Sequence, residues 1–273
     1  MNYGDCIGCG LCMIGCPAYE EDGFEAETAK GRNRMLQAGF KAPDMREAID
    51  ACTLCGYCDA VCPKHVKNVD ILLQLRRDLN GAAKPSTPAG HPLVLGCTIR
   101  EKAPELTPSI QAFLKELGRP AEPEPPGCCG SKDVEAGKAT RTRVKAGVVC
   151  DPVCLEQYEA DFLGALAMQN LNLFRLKAPF YYFVPHRLIN RGLYYALYDG
   201  LRTSTSCDTN LDLNRLARST SASAINPRDV AAAVKRLLRH SKAERIITCS
   251  PAEYLAFKAH SGRETLFITQ CLR

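Results

Sequence analysis

Eight of the sixteen cysteines fall into two runs of one spacing. Cys6, Cys9, Cys12 and Cys16 sit in C-I-G-C-G-L-C-M-I-G-C-P, and Cys52, Cys55, Cys58 and Cys62 in C-T-L-C-G-Y-C-D-A-V-C-P. Three thiolates two residues apart can wrap three corners of one cubane iron–sulfur cluster. The fourth, held off by the turn before proline, points to a neighbouring cluster. The expected ligation is therefore crossed. Cys6, Cys9, Cys12 and Cys62 take one [4Fe–4S] cluster; Cys52, Cys55, Cys58 and Cys16 take the other. The competing reading is zinc or a disulfide framework. C-x2-C alone suits zinc, but four cysteines at this spacing, used twice, are not a usual zinc pattern.

A second constellation follows: Cys97, then Cys128-Cys129-Gly130, then Cys150 and Cys154. Thiolates favour iron–sulfur clusters or zinc. Further on, His186, Cys207 and Cys249 make a sparser set, readable as a three-ligand zinc site, an altered cluster or plain core residues. Cys271 has no assigned role. His91, His240 and His260 read as surface or capping residues.

These residues need elements to hold them. In residues 1–80, Glu25 to Ala38, Asp44 to Ala51 and Val69 to Leu79 carry helical patterns, the last stopping before Asn80-Gly81. The expectation is an all-helical two-cluster domain over 1–80. Residues 81–92 hold three prolines and two glycines and read as a linker. Beyond it the texture changes. Leu93 to Leu95, Val148-Val149, Phe180 to Val184, Ile246 to Thr248 and Leu266 to Thr269 read as strands. Thr107 to Leu117, Phe162 to Leu173, Leu193 to Leu201, Val230 to Leu238 and Tyr254 to His260 read as helical. Residues 179–273 look like a worn copy of 93–178. Pro185-His186 stands at the first cysteine, Ser204 to Asp208 at Cys-Cys-Gly, and Cys249-Ser250-Pro251 at the last pair. The fold class expected is α + α/β: a helical dicluster domain, then a pseudo-duplicated α/β domain over 93–273, with 93–178 the intact half and 179–273 the degenerate one.

Composition bounds the class. The chain has 273 residues, 46% hydrophobic and 24% charged, as expected of a globular protein. A cluster motif directly after Met1 leaves no room for a signal sequence, so a reducing, cytoplasmic setting is expected for these cysteines. No apolar run reaches the eighteen residues of a membrane span; peripheral docking on a membrane partner stays open. Residues 1–84 carry ten Lys/Arg and twelve Asp/Glu, a net −2, so the remainder carries +7 and the whole chain +5. That suits an acidic partner or an anionic substrate. No basic run interleaved with aromatics points to nucleic acid.

The paired motifs and helical spacer resemble the helical ferredoxin domain of the heterodisulfide reductase C subunit, and of the iron–sulfur subunits of succinate dehydrogenases and anaerobic glycerol-3-phosphate dehydrogenases. Cys97, Cys128-Cys129-Gly130, Cys150 and Cys154 resemble the CCG domain of the heterodisulfide reductase B subunit and of glycolate and lactate oxidation proteins. That resemblance implies a third, non-cubane [4Fe–4S] cluster on five cysteines, with chemistry on a disulfide, or transfer to a quinone or another protein's centre. Adjacent thiolates cannot readily grip opposite corners of a compact cubane, but they can bridge irons of an opened cluster, and Gly130 removes the side chain that would crowd it. Two departures keep an ordinary cubane and zinc as alternatives. Cys150 to Cys154 is C-x3-C rather than C-x2-C, and the Cys129 to Cys150 stretch is short. The implied role is an oxidoreductase subunit relaying single electrons. No G-x-G-x-x-G flavin fingerprint is present, so a flavoprotein, hydrogenase or other redox subunit is the expected partner. The alternative class is an accessory activator or assembly protein that delivers low-potential electrons to a metalloenzyme.

Overall fold

The computed structural model describes residues 1–81, 84–85, 88–125, 127–177, 179–194, 197 and 207–273. It combines helices with parallel β-sheets. Residues 1–81 contain helices and turns only. Helix α1 (Pro17–Asp22) begins at the proline that closes the first motif, a residue suited to the first helical position. Helix α2 (Ala29–Gln37) is capped by Thr28, whose hydroxyl accepts from the Gly31 amide at 3.1 Å. Then come α3 (Arg46–Asp50), α4 (Tyr57–Ala60) and α5 (Asn68–Asn80). The two helices expected before Ala51 are each shortened by a 3-10 turn, at Glu25–Glu27 and Ala42–Met45. Helix α5 buries Ile71, Leu72 and Leu75 against Ile49, Leu54 and Val66.

The second part is built on two parallel sheets. Strands are β1 (Lys84–Pro85), β2 (Leu93–Val94), β3 (Ala139–Thr140), β4 (Val144–Val149), β5 (Tyr158–Phe162), β6 (Phe180–Phe183), β7 (Cys207–Thr209), β8 (Arg245–Thr248) and β9 (Glu264–Phe267). One sheet runs β2-β4-β5 and the other β7-β6-β8-β9; β1 and β3 form a small pair. Between and after them lie α6 (Cys97–Lys102), α7 (Thr107–Glu116), α8 (Ser131–Glu135), α9 (Leu163–Gln169), α10 (His186–Asn190), α11 (Val230–Leu238) and α12 (Pro251–His260). Strand β6 is covered on both faces. Phe180 and Tyr182 enter a core shared with Val149, Phe162 and Ile247, while Tyr181 and Phe183 pack with Val234, Leu238 and Phe257. Double coverage explains its unbroken apolar run. The helix expected from Phe162 to Leu173 is shorter: Phe162 closes edge strand β5, the helix runs from Leu163 to Gln169, and a 3-10 turn covers Leu171–Leu173. Residues 195–196 and 198–201 of the predicted amphipathic segment lie outside the described residues. Among the described residues no helix is long and apolar enough to cross a membrane.

The helical part is docked on the second part by buried polar contacts. The Arg76 guanidinium donates to the carbonyls of Cys52 at 2.7 Å, Ile49 at 3.3 Å and Glu135 at 2.8 Å. Asn190 and Arg191 donate to the carbonyls of Cys55 and Leu54 at 3.4 and 3.1 Å. Gly137, at φ +75°, lies so close to α5 that a Cβ there would be 2.4 Å from the Arg76 carbonyl carbon. Gly137→Ala combines left-handed backbone with a main-chain clash, so about 2–5 kcal/mol of stability should be lost. Gly262, at φ +66° with open space around it, is the control. Thermal unfolding of the two anaerobic variants should separate them; equal losses would mean that the close approach does not matter.

Candidate metal centres

The two motifs fold as copies of one loop. Gly10 and Gly56, each just before the third cysteine minus one, have φ +82° and +79°. Gly8 and Leu54, just before the second cysteine, have φ +73° and +56°. A buried leucine in this conformation is strained, and its place is held by Arg191 on its carbonyl. The loops wall two adjoining cavities. Cys6, Cys9 and Cys62 line the first, and Cys16, Cys52 and Cys55 line the second; Cys12 and Cys58 reach both. The fourth cysteine of each motif thus lies in the cavity of the other motif.

The donor chemistry of these cavities fits iron–sulfur clusters. Burial pushes the Cys12 thiol up to about 11, with repulsion from Cys16, Cys6 and Cys9 adding to it. Burial and Cys16 push Cys55 up to about 12. So many crowded thiols lose their protons when cations arrive to hold them. The amides of Leu54 and Val66 approach the Cys52 and Cys62 sulfurs at 3.5 and 3.4 Å, contacts that tune cluster potentials. Arg32 is buried beside the second cavity, held by the carbonyls of Glu27 and Ala48 at 2.6 and 3.1 Å. Desolvation loosens its proton, but the charges of Cys52, Cys16, Cys58 and Cys12 outweigh that and tighten it. Nothing in the spacing of the motifs pointed to Arg32.

Cys97, Cys128, Cys129 and Cys154 share a third cavity. Cys97 opens α6 after β2, and Cys154 opens a 3-10 turn after β4. Cys128 and Cys129 sit on a turn made possible by Gly130 at φ +75°. The Cys129 sulfur is 3.2 Å from that of Cys154 and 3.1 Å from the Ser131 hydroxyl. Cys154 beside it pulls the Cys129 thiol down to about 7 against the cost of burial, and Ser131 helps. Gly96 is required here as well: a Cβ would lie 3.0 Å from the Cys154 sulfur. Its amide and that of Leu95 donate to the Glu124 carboxylate at 3.0 and 2.7 Å, which ties the proline-rich loop to the strand end. Cys150, the fifth expected thiol, is fully buried directly after β4 and does not line the cavity. Ala222, Val230, Ala252, Leu255 and Ala256 of the second half also line the cavity, as do Lys102, Lys132, Asp151 and His260.

The structure does not bring His186, Cys207 and Cys249 together. His186 opens α10 after β6, with Nε2 3.1 Å from the Ser219 hydroxyl. Cys249 follows β8, 3.3 Å from the Tyr182 hydroxyl. Cys207 is the first residue of β7, paired with Phe180 at the start of β6. That pairing puts it at the far end of the strand from His186, not on the turn expected for it; Ser204 to Ser206 lie outside the described residues. Among the described residues no three His, Cys, Asp or Glu side chains gather as ligands of a single ion.

His186 instead faces Glu253, with Nδ1 and Oε1 4.0 Å apart and neither atom hydrogen-bonded. Burial pushes Glu253 up to about 7 from 4.5. Burial, then the Arg187 charge, pushes His186 down to about 3. A carboxyl raised on folding contributes its stability below its unfolded value and loses it as pH rises through the folded value. The native protein should therefore weaken relative to Glu253→Gln between about pH 4.5 and pH 8, by about 3 kcal/mol at most. Denaturant unfolding of both proteins at pH 5 and pH 8 measures this, and a gap independent of pH would refute it.

Comparison with known proteins bears on the helical part. Residues 3–66 match the family model described as a 4Fe-4S dicluster domain. The probable glycolate oxidase iron-sulfur subunit of Bacillus subtilis (strain 168) is 35% identical over 78 residues, covering 26% of this chain and 18% of that protein. The glycolate oxidase iron-sulfur subunit of Escherichia coli (strain K12) is 30% identical over 78 residues, covering 27% and 19%. The uncharacterized electron transport protein YkgF of the same strain is 35% identical over 78 residues, covering 26% and 16%. The chain thus spans under a fifth of the length of these relatives. No solved structure matches. Residues 3–66 are thus similar to 4Fe-4S dicluster domains, which supports iron–sulfur clusters in this part of the chain.

Proposed function

We propose that the chain is an iron–sulfur electron-transfer subunit of a multi-subunit oxidoreductase, with two cubanes in residues 1–80 and a third centre in residues 93–178. Cys6, Cys9, Cys12 and Cys62 hold one [4Fe–4S] cluster, and Cys52, Cys55, Cys58 and Cys16 the other. Cys97, Cys128, Cys129 and Cys154 hold the third, with Cys150 behind them. Bound clusters supply one-electron carriers over a wide range of potential. The chain's own residues hold the thiolates, place Arg32 against their charge and line the third cavity with apolar and charged side chains. The observation that carries the reading is the interlocked pair of thiol-lined cavities, with Cys12 and Cys58 common to both. The third cavity supports a terminal site, where electrons pass to a disulfide or to a partner's centre. Two of the relatives are glycolate oxidase iron-sulfur subunits, which supports a partner subunit.

Anaerobic iron and acid-labile sulfide analysis with EPR tests the proposal. Three four-iron clusters give about twelve iron per chain. About eight would confine the reading to the relay, and zinc in the first two sites would end it.

A further inference from the structure

The two halves of the second part share one register. Val94 pairs with Val149 and Phe183 with Thr248. Three residues past the first strand of each pair stand Cys97 and His186. One residue past the second stand Cys150 and Cys249, and five past it Cys154 and Glu253. The intervening residues agree: Cys150-Asp151-Pro152-Val153-Cys154 against Cys249-Ser250-Pro251-Ala252-Glu253. Val149 and Thr248 pair onward with Phe162 and Phe267. On the other side, Leu93 bridges Pro123 as Tyr182 pairs with Thr209. Thr209 therefore matches Pro123, and Cys207, two residues before it, does not stand at Cys128.

The counterpart of Cys128-Cys129-Gly130 is Ser219-Thr220-Ser221. Ser221 has φ +68° where Gly130 has +75°. The Gly130 amide donates to the Cys128 sulfur at 3.4 Å, and the Ser221 amide to the Ser219 hydroxyl at 2.9 Å. Cys129 touches Cys154, and the Thr220 hydroxyl donates to the Glu253 carboxylate. Cys97 and Cys128 line one cavity, and His186 bonds Ser219. Backbone register, turn and cross-contacts all repeat, while the side chains change from sulfur to oxygen and nitrogen.

We infer that the second half is a complete cluster cradle, closed by hydrogen bonds in place of a metal group, which will take up an iron–sulfur cluster once thiols are restored at His186, Ser219, Thr220 and Glu253. Cys249 already occupies the fifth position. The inference rests on reading the first half as a cluster site. In the native chain, Ser219–His186 and Thr220–Glu253 make the two cross-links that thiolates on a shared cluster would make, and buried polar groups need such partners. Soft donors at the same points select iron–sulfur clusters instead. The native second half then carries no electrons. It helps to line the cavity of the thiols, through Ala222, Ala252 and Leu255.

The test is the full-length variant H186C/S219C/T220C/E253C, reconstituted anaerobically beside the native protein. Iron should rise by about four per chain over native, with an added EPR signal. A folded variant that gains no iron, while the native third site is filled, overturns the inference. The mirrored variant C97H/C128S/C129T/C154E covers the case in which the first does not fold. It should fold with the native circular dichroism and unfolding midpoint of the cluster-free chain, because the second half shows this set closing the same turn. Loss of fold there, with the corresponding four-alanine variant folded, also overturns it. A native protein with iron for two clusters only defeats the reading of the first half instead. The mirrored variant then decides the correspondence alone.

Discussion

Cys129→Ser should abolish the third centre and leave the two cubanes intact. Cys129 is the most enclosed member of the cavity's adjacent pair, 3.2 Å from the Cys154 sulfur, whereas Cys128 is exposed. A hydroxyl is a harder donor that gives up its proton far less readily than a thiol held near neutrality. The supporting hydrogen-bond partners of metal ligands typically cost 10–100-fold when lost, and a ligand should cost at least that much. The expected result is a loss of about four of about twelve iron per chain, disappearance of the third EPR signal, and disulfide turnover at background. Both cubane signals should persist, because no thiol of residues 1–81 lines this cavity. Normal turnover in the variant, or zinc in place of iron, would remove the redox role of this site and leave the relay standing.

What the sequence made legible is what ligand chemistry ties to spacing. The loops around Cys6 to Cys16 and Cys52 to Cys62 could be read because four thiolates around one cluster leave little freedom in the chain between them. The helix at Val69 to Leu79 was equally plain, since α5 (Asn68–Asn80) has one apolar face and a glycine stop. Strand β5 was hidden by Glu159 on an edge strand that continues straight into helix, although Tyr158 and Phe162 are buried as alternation would have them. The counterpart turn in the second half was misplaced for a physical reason. Ser206-Cys207 mimics Cys-Cys in composition, but Cys207 is paired along β6. Ser219-Thr220-Ser221 contains no cysteine, and only its left-handed serine and cross-contacts reveal it. One signal was available: the proline shared by Cys150-to-Cys154 and Cys249-to-Glu253. Arg32, Arg76 and Glu124 were out of reach. Their partners are main-chain groups 5 to 59 residues away in Arg32 and Arg76, and 28 to 29 away in Glu124.

The second large effect concerns Arg32. Its guanidinium is the cation buried against the cavity of Cys16, Cys52 and Cys55. Reduction adds negative charge to a cluster, and a fixed positive charge nearby stabilises the reduced form. Arg32→Met should therefore lower the potential of that cluster. A charge at close range is worth up to about 4 kcal/mol at an effective dielectric near 20, so a fall on the order of 100 mV is expected for a one-electron couple. The first cavity is lined by Lys30 and does not include Arg32, so its cluster should move much less. Two carbonyls, of Glu27 and Ala48, also lose their donor, which costs about 1–3 kcal/mol each in stability. Arg32→Lys keeps the charge and should restore most of the potential while recovering only part of the stability. That split separates an electrostatic role from a merely structural one. Spectroelectrochemical titration of the three proteins reads it directly. Equal shifts of both clusters, or no shift in the methionine variant, would show that Arg32 holds the loops without setting the potential.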